Sequence, residues 1–455
     1  MRLVEWQFDL VSPLEILSHS IAGRLEDRER KAWSPISNNL KTRIACSLVC
    51  LCSFWILASA EAQTENRNWS QWRGPNRDGI SKIKLPESLQ DDSLTEIWST
   101  PLSPSYSGPI VVDDMVFVTE TVDSAFETVQ ALRRSDGTNV WTAKWKGAMK
   151  VPFFAAANGS WIRATPAYSN GKLFVAGIRD VVVCLDAKNG KEIWKVDFPG
   201  QTKSKLPSFG FVCSPLVDGE FVYVQAGGAF TKLAAKDGSI VWQTLKDGGG
   251  MGGSAFSSPV IATIAGVRQA VVLTRNELCG VELETGKPLW KIAVKAFRGM
   301  NILTPSLYGD GIFTSTYGGT TQLFNVATAG ETGALTVNQK WSTPAQGYMT
   351  SPVIVADHAY IHLRNQRFAC FDLKTGDEKW RSETYGKYAS LVAAGDKILA
   401  LDQRGDLLMI KANPMQFELI DKRKVADDSW AHVAVTQDDV VVRDLKKVTL
   451  FKWVK

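Results

Sequence analysis

The chain has 455 residues, 45% hydrophobic and 22% charged, the balance of a globular protein with a large core and not of a disordered one. Its 52 Lys and Arg against 47 Asp and Glu leave a formal charge of only +5, and no basic run stands out, so no nucleic-acid partner is expected. Four histidines in the whole sequence leave little material for a His-based zinc or haem site.

In chain order, residues 1–40 mix Arg, Glu and Asp with scattered apolar side chains and form no recognisable start of a targeting signal. They read as a non-native extension upstream of a true start near Leu40, a genuine extension being the alternative. Lys41 and Arg43, the apolar run 44–57 and the small residues Ala58-Ser59-Ala60 then read as a signal peptide over 41–60. The run is too short for a membrane span, with a buried helix as the alternative. The mature protein is therefore expected to begin near Glu61 and to be exported, periplasmic or extracellular, with the membrane only a translocation route. Residues 61–94 read as a polar lead-in packed on the side of the main domain, which covers 95–455.

From Tyr106 to Val454 one unit recurs eight times, at a period of 40 to 55 residues. Most units open on a small residue and proline: Gly108-Pro109, Thr165-Pro166, Ser214-Pro215, Ser258-Pro259, Thr304-Pro305 and Ser351-Pro352. Proline lacks an N–H and suits the first residue of an inner strand. Hairpin pairs follow, such as Asp113-Asp114, Asn170-Gly171, Asp218-Gly219 and Asp438-Asp439. Units end on a glycine and, four residues later, a tryptophan: Gly137 and Trp141, Gly190 and Trp194, Gly238 and Trp242, Gly286 and Trp290, Gly376 and Trp380. The last two units lack the proline, and the seventh its tryptophan. The eighth has three strands, and its missing outer strand is assigned to 95–100, around Trp98. The pattern predicts an all-β, eight-bladed β-propeller of four-stranded antiparallel blades, closed by 95–100 on 448–454, with seven blades as the alternative.

The recurrent glycine supplies a positive-φ turn position, and the tryptophan fills the wedge between diverging blades. Trp98, Trp141, Trp194, Trp242, Trp290, Trp341 and Trp380 are accordingly assigned to blade docking and not to a ligand. Cys184, Cys279 and Cys370 share one third-strand position in three blades and read, with Cys213, as small buried hydrophobes. Cys184 and Cys213, in adjacent blades, are the one pair to check for a disulfide.

The decapeptide from Leu185 to Trp194, Leu-Asp-Ala-Lys-Asn-Gly-Lys-Glu-Ile-Trp, resembles the signature of the pyrroloquinoline-quinone (PQQ) repeat propellers, and the segment from Phe371 to Trp380 matches nearly as well. The resemblance covers about residues 95–455. The opening from Asn68 to Gly79 is similar to that of exported PQQ-like proteins of planctomycete bacteria. The resemblance implies a propeller but leaves function divided. Quinoprotein alcohol dehydrogenases of this family hold PQQ in the channel between a Trp and a disulfide of adjacent cysteines, with a metal on Glu, Asn and Asp. BamB-type assembly lipoproteins share the repeat and bind no cofactor. This sequence has no adjacent cysteine pair and no haem motif, so those cofactor residues do not carry over.

No catalytic or metal constellation stands out. His358 and His362 are four apart, but on a strand that spacing is about 13 Å, too far for a shared ion. The glycine-rich stretch from Asp247 to Ser254 reads as a flexible connection between the third and fourth blades. The loops ahead of the inner strands emerge on one face and carry the candidate binding residues Tyr106, Trp161, Arg163, Phe211, Phe256, Arg298, Asn301, Tyr348, Tyr388 and Trp430. The expectation is an exported, non-catalytic, monomeric binding or scaffold module for a protein, peptide or glycan, without cofactor. The alternative is a PQQ- and Ca-dependent alcohol or sugar dehydrogenase.

Overall fold

Each repeat folds into a sheet of four antiparallel strands, and eight such sheets follow one another in a ring. The computed structural model describes residues 67–454 apart from 255, 331 and 332. The extension 1–40 and the signal segment 41–60 lie outside the described residues. Blade 1 runs through Ile110–Val112, Met115–Val122, Phe126–Arg133 and Asn139–Lys146. Blade 8 is made of Ala434–Val435, Asp439–Arg443 and Lys447–Trp453, and its outer strand is Leu94–Pro101, from the other end of the domain. The closing register pairs Leu94 with Trp453 and Pro101 with Lys447, as the sequence predicts. Second and third strands are covered on both faces by neighbouring blades and so read as continuous apolar runs, Val181–Asp186 for example. Outer strands face solvent on one side and alternate: Glu192–Asp197 buries only Trp194 and Val196.

The repeat glycine and tryptophan belong to different sides of one joint. The Trp98 indole Nε1 donates to Arg134 O of the next blade at 2.9 Å, Trp141 to Ala187 O at 3.1 Å, Trp194 to Ala235 O at 3.1 Å and Trp341 to Leu373 O at 2.9 Å. Each ring lies over the next blade's turn glycine. A Cβ on Gly137 would sit 2.6 Å from Trp98, one on Gly190 2.4 Å from Trp141, and one on Gly376 2.7 Å from Trp341. The glycine therefore answers both a positive φ and a close ring. Trp290 departs from the rule and donates to Gln269 Oε1 of its own blade at 2.6 Å. In blade 5 the third and outer strands run on to Ala329 and Ala334, so the turn glycines Gly330 and Gly333 lie beyond its reach.

The residues ahead of the prolines form a second joint around the channel. Gly108 N donates to Thr165 Oγ1 at 3.0 Å, Thr165 N to Ser214 Oγ at 2.9 Å, Ser214 N to Ser258 Oγ at 2.9 Å, and Thr304 N to Ser351 Oγ at 2.9 Å. Each hydroxyl thus satisfies the equivalent backbone N–H of the preceding blade, a buried donor that would otherwise be costly.

The lead-in, expected on the propeller's side, instead threads the central channel and touches all eight blades. Trp69 exchanges backbone hydrogen bonds with Val111 of blade 1, and Ser70 O accepts from Tyr168 N of blade 2 at 2.8 Å. Arg77 donates to Ser214 O and Pro215 O of blade 3, at 3.1 and 2.8 Å, and to Pro259 O of blade 4 at 3.0 Å. The Trp72 indole reaches Thr304 Oγ1 of blade 5 at 2.9 Å, and Arg73 bonds Pro352 O of blade 6. Ile80–Ser81 pairs in parallel with Ala393 and Ala394 of blade 7, and Trp69 stacks on His432 of blade 8 at 6.3 Å. Only the stretch after Ser81 lies on the side, where Leu89 N donates to Asp421 at 2.7 Å and Lys397 Nζ donates to Pro86 O at 2.7 Å. Arg73 and Arg77 are both buried, and burial lowers the Arg77 guanidinium to about 9, so it stays charged at neutral pH.

Cys184, Cys213, Cys279 and Cys370 are all free and buried, so the pair Cys184 and Cys213 forms no disulfide. His358 and His362 lie on one strand, His358–His362, and the His362 ring packs edge-on to Phe368 at 5.0 Å.

Candidate functional site

In each blade the inner strand runs away from one face and the second strand returns to it. The loops ahead of the inner strands and the hairpin tips between second and third strands therefore share that face, where they surround two connected recesses. The smaller, about 110 Å³, is an axial pit with Trp72 of the threaded segment as its floor. Every blade contributes to it: Tyr106, Arg163, Val212, Phe256, Ile302, Met349, Tyr388 and Trp430 stand in ring order. The larger, about 860 Å³, opens beside it over blades 2 to 6 and shares Arg163, Val212, Phe256, Ile302 and Met349.

Aromatic rings build the wall as arcs. Trp161 meets Tyr106 edge-on at 5.3 Å, Tyr106 lies 5.6 Å from Trp430, and Trp430 stacks on Tyr388 at 5.5 Å and 8°. A second arc runs from Phe154 through Phe209 to Phe256 at 6.0 and 5.8 Å, and a third from Phe297 through Tyr317 to Tyr348. Arginines pack on these rings. The guanidinium carbon lies 5.7 Å from the Tyr106 centroid for Arg163, 5.1 Å from Phe256 for Arg275, 5.2 Å from Phe297 for Arg298 and 4.2 Å from Tyr317 for Arg364. Burial pushes the Tyr106 hydroxyl up to about 12, so it stays a neutral donor and acceptor. At the lip, three short helical turns present apolar side chains to solvent: Phe153 is 90% exposed, Met251 52% and Phe297 44%.

Seven of the ten residues singled out from the sequence line these recesses: Tyr106, Arg163, Phe256, Arg298, Tyr348, Tyr388 and Trp430. Trp161 backs the wall against Tyr106. Phe211 does not reach it but is fully buried between blades 2 and 3, and its neighbour Val212 faces the pit instead. Asn301 is buried as well, and its amide donates to Arg275 O and Val294 O at 3.1 and 3.2 Å. Sequence reasoning missed Trp72, which sits in the threaded segment, and Arg275 and Tyr317, which sit on hairpin tips. The glycine-rich stretch forms part of the rim, with Asp247 accepting from Gly249 N at 2.9 Å and Ser254 N at 2.6 Å.

Among the described residues lining the two recesses there is no Asp, Glu, His, Lys or Cys. Perturbed carboxyls lie behind the wall. Glu127 is sealed between blades 1 and 2, accepting from Ile178 N at 2.7 Å and Trp145 Nε1 at 2.9 Å, and burial raises it to about 7. Asp180 is sealed between blades 2 and 3, accepts from Gly227 N at 3.0 Å, and is likewise raised by burial to about 7. Perturbed groups often mark active sites, but these face no recess. Their folded values exceed the unfolded ones, so the stability they contribute is complete below the ordinary carboxylate range and is lost as pH rises through about 7. A Glu127→Gln/Asp180→Asn variant should therefore gain stability relative to wild type between pH 5 and pH 8, on the order of 3 kcal/mol per site. Urea unfolding at both pH values checks this, and a pH-independent difference would count against it.

A family model described as outer membrane protein assembly factor BamB matches residues 125–382, more than half of the chain. Proteins of that name from Shewanella oneidensis and Yersinia pestis are 23% and 27% identical to it, over 62% and 54% of this chain and 72% and 63% of theirs. The crystal structure of BamB from Moraxella catarrhalis superposes with a TM-score of 0.57 at 15% identity, covering 79% of this chain and 98% of that one. A europium-containing methanol dehydrogenase gives 0.50 at 12% identity, over 85% and 92%, so likeness of fold alone does not separate the two functional classes. By the family model, the chain belongs to the family described as outer membrane protein assembly factor BamB.

Proposed function

We propose that the protein is an exported, non-catalytic propeller that holds a partner protein on its recessed face. The observation that carries this reading is the lip. Phe153, Met251 and Phe297 project from separate turns into solvent above a wall of rings and arginines, the residue types that anchor protein interfaces. The relatives are named for outer membrane protein assembly, which supports a protein as the partner. The residues present do not fit calcium with PQQ. A hard cation takes oxygen ligands, mostly carboxylates, and the described lining carries arginines in their place.

Affinity capture from a membrane-free extract of the source cells tests the reading. A partner retained by wild type should fall at least tenfold with Phe153→Ser/Phe154→Ser, two exposed positions whose change should leave the melting temperature unaltered. Equal retention by both proteins would refute it. Export is checked by mass spectrometry of the native protein: an N-terminus near Glu61 or Gln63 is expected, and peptides from 1–39 would refute the proposed start.

A further inference from the structure

We propose that the larger recess is a receptor for an acidic peptide segment, an Asp- or Glu-bearing stretch of a partner protein, with Arg163 and Arg275 holding its carboxylates. The proposal rests on the reading of this face as a protein-docking surface and names the chemistry of what docks there. It begins from arginines left without acceptors. Arg275 is only 7% exposed, and of its three nitrogens Nη2 alone is bonded, to Arg298 O at 2.5 Å. Its Nε and Nη1 are buried and have no hydrogen-bond partner, and neither has the Nε of Arg163, whose Nη2 donates to Gly159 O at 2.6 Å.

Arg275 is the outlier among the enclosed arginines of the described residues. Arg77 bonds acceptors through all three nitrogens, and Arg134 is paired with Asp439. Arg73 and Arg443, like Arg163, lack a partner at Nε only, so Arg275 with two orphaned nitrogens stands apart. A buried N–H without an acceptor is costly, and a buried cation without hydrogen-bonded anionic partners more so. Yet the described lining supplies no carboxylate. Asp247 acts on Arg275 by charge without a hydrogen bond to it, its oxygens accepting from Gly249 N and Ser254 N. Carboxylates of a ligand in the recess would give these guanidinium groups acceptors, through charge-assisted hydrogen bonds beside the Phe256 ring that covers Arg275.

Size and lip identify the carrier. A recess of about 860 Å³ is too large for phosphate or sulfate and fits several linked groups. The exposed Phe153, Met251 and Phe297 ask for apolar groups beside the charge, which a peptide supplies and a bare anion does not. Arg298, exposed at the rim, adds a third cation for a second acidic residue.

Fluorescence anisotropy with the purified full chain tests this. The probe is a dye-labelled peptide capped at both ends, Gly-Phe-Asp-Glu-Leu-Asp-Gly, against the same peptide with Asn and Gln replacing the acids. The acidic peptide should bind at least tenfold more tightly than the amide version. Arg275→Gln and Arg163→Gln should each remove most of that preference, with Arg275→Lys intermediate as the variant that keeps the charge. Equal binding of the two peptides, or a preference unchanged in both glutamine variants, would overturn the proposal, as would failure of folded wild type to bind either. If Phe153→Ser/Phe154→Ser weakens both peptides alike while acids confer nothing, the docking face stands and the carboxylate role falls. Displacement of the peptide by PQQ at concentrations where succinate has no effect would assign the arginines to a carboxylated small molecule instead.

Discussion

Arg77→Met is expected to cost at least about 4 kcal/mol of unfolding free energy, among the largest single-residue effects in the molecule. The side chain sits at the centre of the ring and ties blade 3 to blade 4 through Ser214 O, Pro215 O and Pro259 O, with Gln71 Oε1 as a further acceptor at 3.2 Å. Methionine restores much of the volume but none of the donors. Three buried carbonyls would then lose a charge-assisted partner at about 1–3 kcal/mol each. Urea denaturation followed by tryptophan fluorescence measures the change, and a loss below about 1 kcal/mol would show that the threaded segment rides in the channel without bracing it.

The second large effect concerns truncation. Deletion through Asp91 leaves the closing strand intact, and from the sequence alone it should matter little. With the segment from Trp69 to Ser81 in contact with all eight blades, that deletion should instead leave the domain strongly destabilised while still monomeric. Deletion through Pro101 also strips blade 8 of its outer strand and exposes the edge Lys447–Trp453. An unpaired edge templates association, so this longer deletion should run as oligomers in size-exclusion chromatography with light scattering. A shorter deletion that melts like the intact chain would contradict the bracing role.

The blades were legible because their joints use side chains. The turn glycine, the docking tryptophan and the pre-proline hydroxyl each leave a residue at a fixed place in most units, and blade 8 could be closed by counting strands. The threaded segment was not legible, because Arg73 and Arg77 bond backbone carbonyls, which leave no trace in sequence. A polar stretch without periodicity then reads as surface. The site was half legible for a topological reason. Loops ahead of the inner strands were searched, whereas the tips between second and third strands, which share that face, were not, and so Arg275 and Tyr317 escaped notice. Within the searched loops, neighbouring residues point in opposite directions. Phe211 turns into the blade interface while Val212 faces the pit, and a large aromatic is the wrong one of the two to choose when burial between blades rewards it more.

The central claim is that partners dock on the recessed face above Trp72 and not on the opposite end of the ring. Site-specific photo-crosslinking tests it most directly, with p-benzoylphenylalanine placed either at Phe153, on the lip, or at Glu220, on an exposed hairpin of the opposite face. The account predicts a discrete partner adduct from position 153 and none from position 220. An adduct from 220 with none from 153 would contradict it.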